Sequence, residues 1–393
     1  MDLRILITGG GTGGHAVPAI ATAKAIRELA LEDGTWKPVF LYVGSESGVE
    51  QKLAEEAGID FEAIKTGKLR RSANPVRMIN RANIADLARV PIGINQAARA
   101  VARFRPNVVF STGGYVCVPA ALAAQARRIP VVAHEQTVQI GLANKIVMPR
   151  AARIALSYPE TAECLGPSQR ARSVVTGNPV RTDGFMDGIA ERAATWAGFV
   201  SADHDLPAIY ITGGAKGSRV INVAVSECAG ELLAHCRVIH QCGRQPGDQQ
   251  DIDLLNATVV ALPEELRSRY HAVEFVGPEI GDVYALADLI VARSGAGTVA
   301  EVCALGKAAL FIPLVPTGGD EQRRNAQRLA DAGAAAILAQ DSLSGPALRD
   351  AIVKLLDHPA QLRRMGEAAR TLARPHAARD LAKLVVETAR AGR

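Results

Sequence analysis

Two glycine-rich turns, each directly after a short apolar run, carry the residues of this sequence best suited to chemistry. The first spans residues 9–14 and is followed directly by His15; the second spans residues 213–218 and includes Lys216. A glycine turn between a strand and a helix exposes backbone N–H groups at the helix N-terminus, which carries roughly half a positive charge and binds phosphate. Both turns therefore predict binding of a phosphorylated ligand.

His15 directly follows the first turn, whereas the second turn has no histidine. At a helix N-terminus the dipole disfavours the protonated imidazole, so we expect a neutral ring near pH 7. A neutral imidazole can accept a proton from a hydroxyl group, which is general-base chemistry. The alternative is a histidine that caps or packs the turn.

Gly9, Gly11 and Gly14 also satisfy the pattern GxGxxG, which is weak evidence by itself. A dinucleotide-binding fold places an acidic residue at the end of its second strand, about 20 residues further on. Here the corresponding residue, Glu46, comes late. An NAD(P) oxidoreductase therefore ranks last among the candidate functions.

Apolar runs alternate with helical patterns in both halves of the chain. This alternation is typical of right-handed βαβ units on a parallel sheet. Strands are predicted at 3–8, 39–43, 108–111, 131–134 and 154–156, and again at 208–212, 237–241, 272–275, 289–292 and 308–311. Helices are predicted at 16–31, 48–57, 92–104, 119–128, 218–233, 283–287, 297–305 and 321–332.

Two α/β domains, each Rossmann-like with a parallel sheet, are therefore expected to face each other across a cleft. Residues 177–181 are rich in turn formers and mark the boundary, so we predict domains at 1–180 and 181–374. A final helix at about 375–393 is expected to pack back on the first domain.

Composition limits the class of protein. The chain has 393 residues, of which 48% are apolar and 4% aromatic, and this suits closely packed helices on parallel sheets. The net charge of +5 is too small to argue for nucleic acid. No apolar run approaches the ~20 residues of a membrane span, and no signal peptide is expected.

No metal site and no cofactor are predicted. The six cysteines show no CxxC spacing, so we expect buried, reduced thiols. Two Asp-x-Asp pairs, at 203–205 and 251–253, do not follow convincing strands and are interpreted as solvated loop carboxylates. His240 and Cys242 are expected to pack rather than bind a metal.

Several short runs occur in a fixed order along nearly the whole chain: 8–15, 111–116, 134–136, 141–145, 176–181, 293–296, 298 with 301, and 321–322 with 325–326. This ordered set closely resembles the MurG family of peptidoglycan GlcNAc-transferases. The resemblance implies a two-domain GT-B glycosyltransferase. It also implies inverting transfer of GlcNAc from UDP-GlcNAc to the muramyl 4-hydroxyl of lipid I, undecaprenyl-pyrophosphoryl-MurNAc-pentapeptide, at the cytoplasmic face of the cell membrane.

The resemblance also assigns roles to residues. His15 matches the proposed general base of the acceptor domain. Glu301 suits ribose, since a carboxylate accepts both hydroxyls; Gln322 would read GlcNAc hydroxyls, and Arg293 would offset charge on the leaving diphosphate. An ion pair between Arg293 and Glu301 is the structural alternative. The full set expected to bind the donor is Thr12, Gly13, Gly14, Thr137, Arg181, Ala215, Val276, Arg293, Ala296, Gly297, Thr298, Val299, Ala300, Glu301 and Gln322.

The chain departs from the family pattern at two positions. Ala215 stands where the family often has Ser, and Thr137 where it often has Asn; Lys216 or Ser218 could compensate for the missing hydroxyl. These changes leave alternatives open: a related transferase acting on a secondary metabolite or another lipid, a sugar-nucleotide epimerase of the same fold, or a non-catalytic scaffold for wall synthesis.

Residues 65–92 interleave basic and apolar side chains, a pattern that suits the surface of an anionic membrane. The alternative is a solvated loop and an ordinary amphipathic helix. Expected partners are UDP-GlcNAc, the lipid-linked acceptor, the membrane surface and other cell-wall synthesis proteins. The residues predicted for acceptor or membrane contact are Lys68, Arg70, Arg71, Arg77, Met78, Ile79 and Arg81.

Overall fold

Two compact units make up the chain. The computed structural model describes residues 1–11, 13–46, 48–67, 81–180, 185–200, 203–244, 251–315 and 320–392, with the backbone alone over 81–90. Unit 1 comprises Met1–Arg181 and Arg374–Arg393, and unit 2 comprises Thr182–Ala373. Each unit has its own parallel sheet covered by helices, so the predicted α/β class is confirmed.

The sheet of unit 1 has seven strands, all parallel, in the order β3-β2-β1-β4-β5-β6-β7. The strands are β1 (Asp2–Thr8), β2 (Lys37–Ser45), β3 (Asp60–Ile64), β4 (Val108–Ser111), β5 (Val131–Glu135), β6 (Arg153–Leu156) and β7 (Ser173–Val175). The helices are α1 (Gly13–Asp33), α2 (Val49–Glu56), α3 (Arg81–Phe104), α4 (Cys117–Ala126), α5 (Leu142–Val147), α6 (Pro167–Arg170) and, from the end of the chain, α16 (Ala377–Ala391).

The sheet of unit 2 has six strands in the order β10-β9-β8-β11-β12-β13. They are β8 (Ala208–Thr212), β9 (Arg237–Gln241), β10 (Tyr270–Val273), β11 (Leu289–Ala292), β12 (Ala308–Phe311) and β13 (Ala335–Ile337). Its helices are α7 (Ala190–Trp196), α8 (Arg219–Leu232), α9 (Asp251–Ala261), α10 (Glu264–Arg267), α11 (Ile280–Leu286), α12 (Ala296–Leu305), α13 (Glu321–Asp331), α14 (Gly345–Leu356) and α15 (Pro359–Thr371).

Strand order explains where each glycine turn lies. In unit 1 the chain moves from β1 to β2 on one side and later to β4 on the other; in unit 2 it does the same from β8 to β9 and β11. Ligands of open α/β sheets bind beyond the carboxyl ends of the strands at such a switch point. Both glycine turns follow the strand at the switch point of their own sheet.

The last helix of the chain belongs to the core of unit 1. Leu381 and Val385 of α16 are fully buried in the cluster that contains Leu3 and Ile26. On the surface, Arg379 contacts Glu32 at 2.6 Å. Unit 1 therefore needs both ends of the chain to complete its core.

The prediction of solvated loop carboxylates is wrong for the first aspartate of each Asp-x-Asp pair. Asp203 is buried and pairs with Arg269 at 2.9 Å. Asp251 begins α9, is fully buried and accepts hydrogen bonds from Asn222 and Arg219. Polar partners from elsewhere in unit 2 offset the free-energy cost of burying these carboxylates, and the spacing of residues in the sequence does not reveal those partners.

Other expectations from composition had mixed outcomes. Cys164 is exposed, contrary to expectation, while the other five cysteines are buried; all six are free thiols. His240 packs as expected, since it is fully buried between Tyr270 and Asn222. The described residues include no cluster of histidine, cysteine and acidic side chains that could hold a metal. Among those same residues, no helix is long and apolar enough to cross a membrane.

Candidate functional site

The first glycine turn uses two of its own N–H groups internally. Gly10 N donates to Gly113 O at 3.4 Å, and Gly11 N donates to Glu50 Oε2 at 3.3 Å. The Glu50 carboxylate is fully buried and also accepts from Ser45 N and Oγ, at 3.0 and 2.6 Å. A buried carboxylate against Gly10 and Gly11 opposes phosphate there, which argues against a dinucleotide. The N–H groups of Gly13 and Gly14, at the start of α1, remain the anion-binding candidates.

His15 lies in the first turn of α1, and its ring is oriented by hydrogen bonds from Nδ1. This atom lies 2.8 Å from Thr112 O and 3.1 Å from Gln136 Oε1. Both partners are carbonyl oxygens, so Nδ1 must carry the hydrogen and donate it. The neutral ring then has its lone pair on Nε2, which has no partner among the described residues and is the atom a general base needs.

The β4–α4 turn supports the other side of the ring. A Cβ on Gly113 would lie 3.4 Å from His15 Cε1, and one on Gly114 would lie 3.1 Å from His15 Cδ2 and 2.3 Å from Gly10 O. Gly114 also has φ +75°, a conformation that favours glycine. The turn therefore lets the backbone approach both the imidazole and the first glycine turn.

Thr137, expected to contact the donor, is buried and engaged within unit 1. Its hydroxyl lies 2.8 Å from Glu135 Oε1, and Glu135 also accepts from Gly141 N and Asn144 Nδ2, at 2.9 and 3.0 Å. The Glu135 carboxylate thus organises the loop between β5 and α5. In this arrangement the hydrogen bonds of the Thr137 hydroxyl stabilise the loop itself.

The second glycine turn is shaped by Gln241, which sequence reasoning did not single out. Its Nε2 donates to Thr212 Oγ1 at 3.1 Å and Gly214 O at 3.2 Å, and its Oε1 accepts from Val276 N at 2.9 Å. Val276, expected at the donor site, has its side chain in the core and its N–H already bonded. Ala215 and Lys216, at the tip of the turn, are exposed.

Arg293 is the buried cation behind the second turn. Its guanidinium donates to Ile312 O at 2.8 Å, Ser218 Oγ at 2.8 Å and Gln340 Oε1 at 2.7 Å, all neutral oxygens. Burial lowers the pKa of Arg293 to about 10. A cation whose hydrogen-bond acceptors are neutral, beside the N-terminus of α8, makes this edge of unit 2 attractive to an anion.

The remaining donor candidates lie in the first half of α12 and in the first turn of α13. Glu301 accepts from Tyr284 Oη at 2.9 Å. Gln322 Oε1 accepts from Leu314 N at 2.9 Å, so its amide NH₂ is the group available to a ligand. Val299 is 1% exposed and packs in the core. The other expected residues of this segment, Ala296, Gly297, Thr298 and Ala300, follow the N-cap of α12.

Several expected residues cannot be placed. Arg81 belongs to α3, whose backbone alone is described at that point. The residues that lie outside the described part of the chain are Thr12, Lys68, Arg70, Arg71, Arg77, Met78, Ile79 and Arg181.

Two family models match the chain. Residues 5–156 match the glycosyltransferase family 28 N-terminal domain, and residues 208–385 match the C-terminal domain of the same family. A curated relative from Nocardioides sp. is 36% identical over 98% of this chain and 98% of its own length. Its name is UDP-N-acetylglucosamine--N-acetylmuramyl-(pentapeptide) pyrophosphoryl-undecaprenol N-acetylglucosamine transferase. The chain belongs to the MurG family.

Two further similarities agree with this membership. A relative of the same name from Lachnospira eligens is 34% identical, with 90% of each chain covered. The crystal structure of Acinetobacter baumannii MurG matches with a TM-score of 0.69 and 27% identity, over 98% of this chain and 99% of that one. As a member of the MurG family, the chain is a glycosyltransferase with the GT-B fold.

Proposed function

We propose that this chain transfers GlcNAc from UDP-GlcNAc to the muramyl 4-hydroxyl of lipid I, with inversion at the anomeric carbon, to form lipid II. The donor and acceptor are those in the names of its curated relatives. The observation that carries the chemistry is the orientation of His15, whose Nδ1 is held by two carbonyl oxygens and whose Nε2 is left to accept a proton.

In the proposed reaction, unit 1 supplies the base and takes the acceptor. The 4-hydroxyl oxygen attacks the anomeric carbon of GlcNAc while its proton passes to His15 Nε2. The bond from the anomeric carbon to the UDP oxygen breaks, and UDP leaves with the electron pair. Positioned general bases contribute roughly 10²–10⁴-fold to rate.

Unit 2 binds the donor in this proposal. Glu301 would accept the ribose hydroxyls, and the amide of Gln322 would contact GlcNAc. The diphosphate would lie at the second glycine turn, where the N-terminus of α8 and buried Arg293 favour the negative charge that develops on UDP. Lys216, exposed at the tip of that turn, adds a further positive charge.

Purified protein, UDP-GlcNAc and a lipid I analogue provide the test. UDP release and disaccharide formation are expected only when both substrates are present. Conversion of UDP-GlcNAc without acceptor would indicate an epimerase, and no reaction with any acceptor would indicate a scaffold. Activity with a different acceptor alone would indicate one of the specialised transferases.

His15→Ala tests the base directly. We expect turnover to fall at least 100-fold while the dissociation constant for UDP-GlcNAc stays within a few-fold of wild type. His235→Ala, in the other unit, is the matched control and should keep wild-type turnover. Unchanged turnover in His15→Ala would rule out this base.

We also propose that the protein docks as a peripheral protein on the cytoplasmic face of the membrane, where a lipid-linked acceptor would be met. Ile92, the last residue of the 65–92 segment, is 47% exposed, and Ile94, two residues beyond it, is 41% exposed. The backbone of Lys65 lies beside this part of α3: its N–H donates to Gln96 Oε1 at 2.7 Å, and its carbonyl group is next to Gly93. Ile92→Ser with Ile94→Ser should weaken binding to anionic vesicles in sedimentation, whereas Val260→Ser, at an exposed valine of unit 2, should not.

A further inference from the structure

A buried chain of hydrogen bonds runs from His15 into the core of unit 1. It passes through the Gln136 side chain to His134, which is fully buried at the end of β5. The sheet order makes this possible, because β4 lies between β1 and β5 and brings the carboxyl ends of all three strands together. Each link in the chain has a donor and an acceptor that chemistry identifies.

The hydrogen bonds at the far end of this network, away from His15, fix the tautomer of His134. Its Nε2 lies 3.1 Å from Gly177 O and 3.2 Å from Ser157 Oγ. The Ser157 hydroxyl donates its hydrogen to Glu135 O at 2.9 Å, so both neighbours of Nε2 accept. His134 therefore carries its hydrogen on Nε2 and presents a lone pair on Nδ1. Burial agrees with a neutral ring, because it lowers the pKa of His134 to about 4.

The lone pair on His134 Nδ1 helps to orient the Gln136 amide, and the amide in turn determines which atom faces His15. Its Nε2 donates to Thr112 O at 2.6 Å and faces the lone pair of His134 Nδ1 at 3.3 Å. A flipped amide would put two oxygens 2.6 Å apart at Thr112, so the orientation is determined. Oε1 is then the only atom that Gln136 can present to His15 Nδ1, and it can only accept.

We propose that Gln136, oriented by His134, is a positioning residue that holds His15 in the Nδ1–H tautomer with Nε2 open to the acceptor hydroxyl. Its catalytic meaning rests on the proposed function, but its structural content does not. The device moves no proton between the histidines, since an amide has no site that both takes up and releases one. It sets the direction of the base before substrate arrives.

Gln136→Met removes the amide while keeping a side chain of similar length. Thr112 O still accepts from Nδ1 in this variant, so we expect the Nδ1–H tautomer of His15 to remain the major form and the Nε2–H tautomer to gain population in two-dimensional ¹⁵N–¹H spectra of the histidine-labelled protein. The kcat should fall about tenfold, as for the loss of one orienting hydrogen bond, with KM for UDP-GlcNAc unchanged. Gln125→Met is the matched control: Gln125 donates to Val147 O at 2.9 Å, away from His15, and its loss should change neither readout.

Gln136→Glu keeps an oxygen that accepts from His15 Nδ1 but replaces the NH₂ group that donates to Thr112 O, so it tests the acceptor towards His15 alone. His15 should stay in the Nδ1–H tautomer, and the acidic limb of the pH–rate profile should move to higher pH because a carboxylate faces the ring. The other titratable groups near the network are Glu50, Glu135, Tyr115 and Cys117. Burial raises the pKa of the Cys117 thiol to about 11. These groups are the same in every variant.

His134→Asn completes the series, because its Oδ1 can replace Nδ1 as acceptor for Gln136 and should preserve the His15 tautomer. The proposal is overturned if His15 stays wholly Nδ1–H and kcat stays at the wild-type value in Gln136→Met. Failure of the proposed function looks different: the tautomers would change as expected while His15→Ala still turned over.

Discussion

Glu301 is the side chain on which donor binding depends most in our proposal, and its contacts allow a sharp test. Glu301→Ala should weaken UDP binding by about 10- to 100-fold, since a carboxylate bonded to two hydroxyls is lost. Isothermal titration calorimetry with UDP measures this. Tyr284→Phe is the control, because it removes the hydrogen bond to Glu301 Oε2 but leaves the carboxylate. Normal affinity in Glu301→Ala would remove this residue from the site.

The contacts that orient the candidate base were harder to predict from the sequence than the candidate base itself. The position of His15 after the glycines indicated a base, because the motif and its helix are local in sequence. Gln136 is separated from His15 by 121 positions, and their contact depends on strand order. Glu50 was also missed, because a lone glutamate on a short helix gives no signal that it will be buried under a turn.

Among the elements, the strands that the sequence predicted are the central ones together with one edge strand, β10. Strands buried on both faces read as apolar runs, as in β4, β11 and β12. The edge strands β3, β7 and β13 were missed, because they are short and only partly buried. The four-residue β10 was predicted two residues too late, at 272–275.

The close approach of two turns makes a prediction at the scale of elements. Gly114→Ala should lower kcat at least tenfold and also lower stability, because the new Cβ would lie 2.3 Å from Gly10 O and displace the turn that carries His15. Gly34→Ala is the matched control. It has nearly the same positive φ, +71° against +75°, but nothing within 4 Å of the new Cβ. It should cost stability through backbone strain and leave kcat unchanged; equal loss of kcat in both would contradict the steric argument.

At the scale of the whole molecule, each unit contains a buried neutral histidine, and this sets its response to acid. Burial lowers the pKa of His134 in unit 1 to about 4 and of His240 in unit 2 to about 3. The unfolded chain binds a proton at each below about pH 6.5, while the folded chain does not. The free energy of unfolding should therefore fall as the pH drops from 6.5 towards the folded pKa values, by about 2 kcal/mol per histidine at pH 5.

Urea unfolding at pH 7.5 and pH 5 measures this response. In His240→Gln the difference between the two pH values should shrink by about 2 kcal/mol, whatever the absolute stability of the variant. The same difference in the variant and in the wild-type protein would show that His240 does not contribute in this way.

The division into two units, with the final helix in the first, predicts that damage to one core stays in that unit. Leu381 on α16 and Leu348 on α14 are both 0% exposed, but they belong to the cores of unit 1 and unit 2 respectively. Truncating a buried leucine to alanine costs about 2–5 kcal/mol. In hydrogen exchange followed by mass spectrometry, Leu381→Ala should reduce protection in β1, β4 and α1 although the substitution lies near the end of the chain. Leu348→Ala should reduce protection in β8, β9 and α8 instead. If Leu381→Ala reduced protection in unit 2 as much as in unit 1, the final helix would not stabilise unit 1 alone, and the two units would unfold as one cooperative structure.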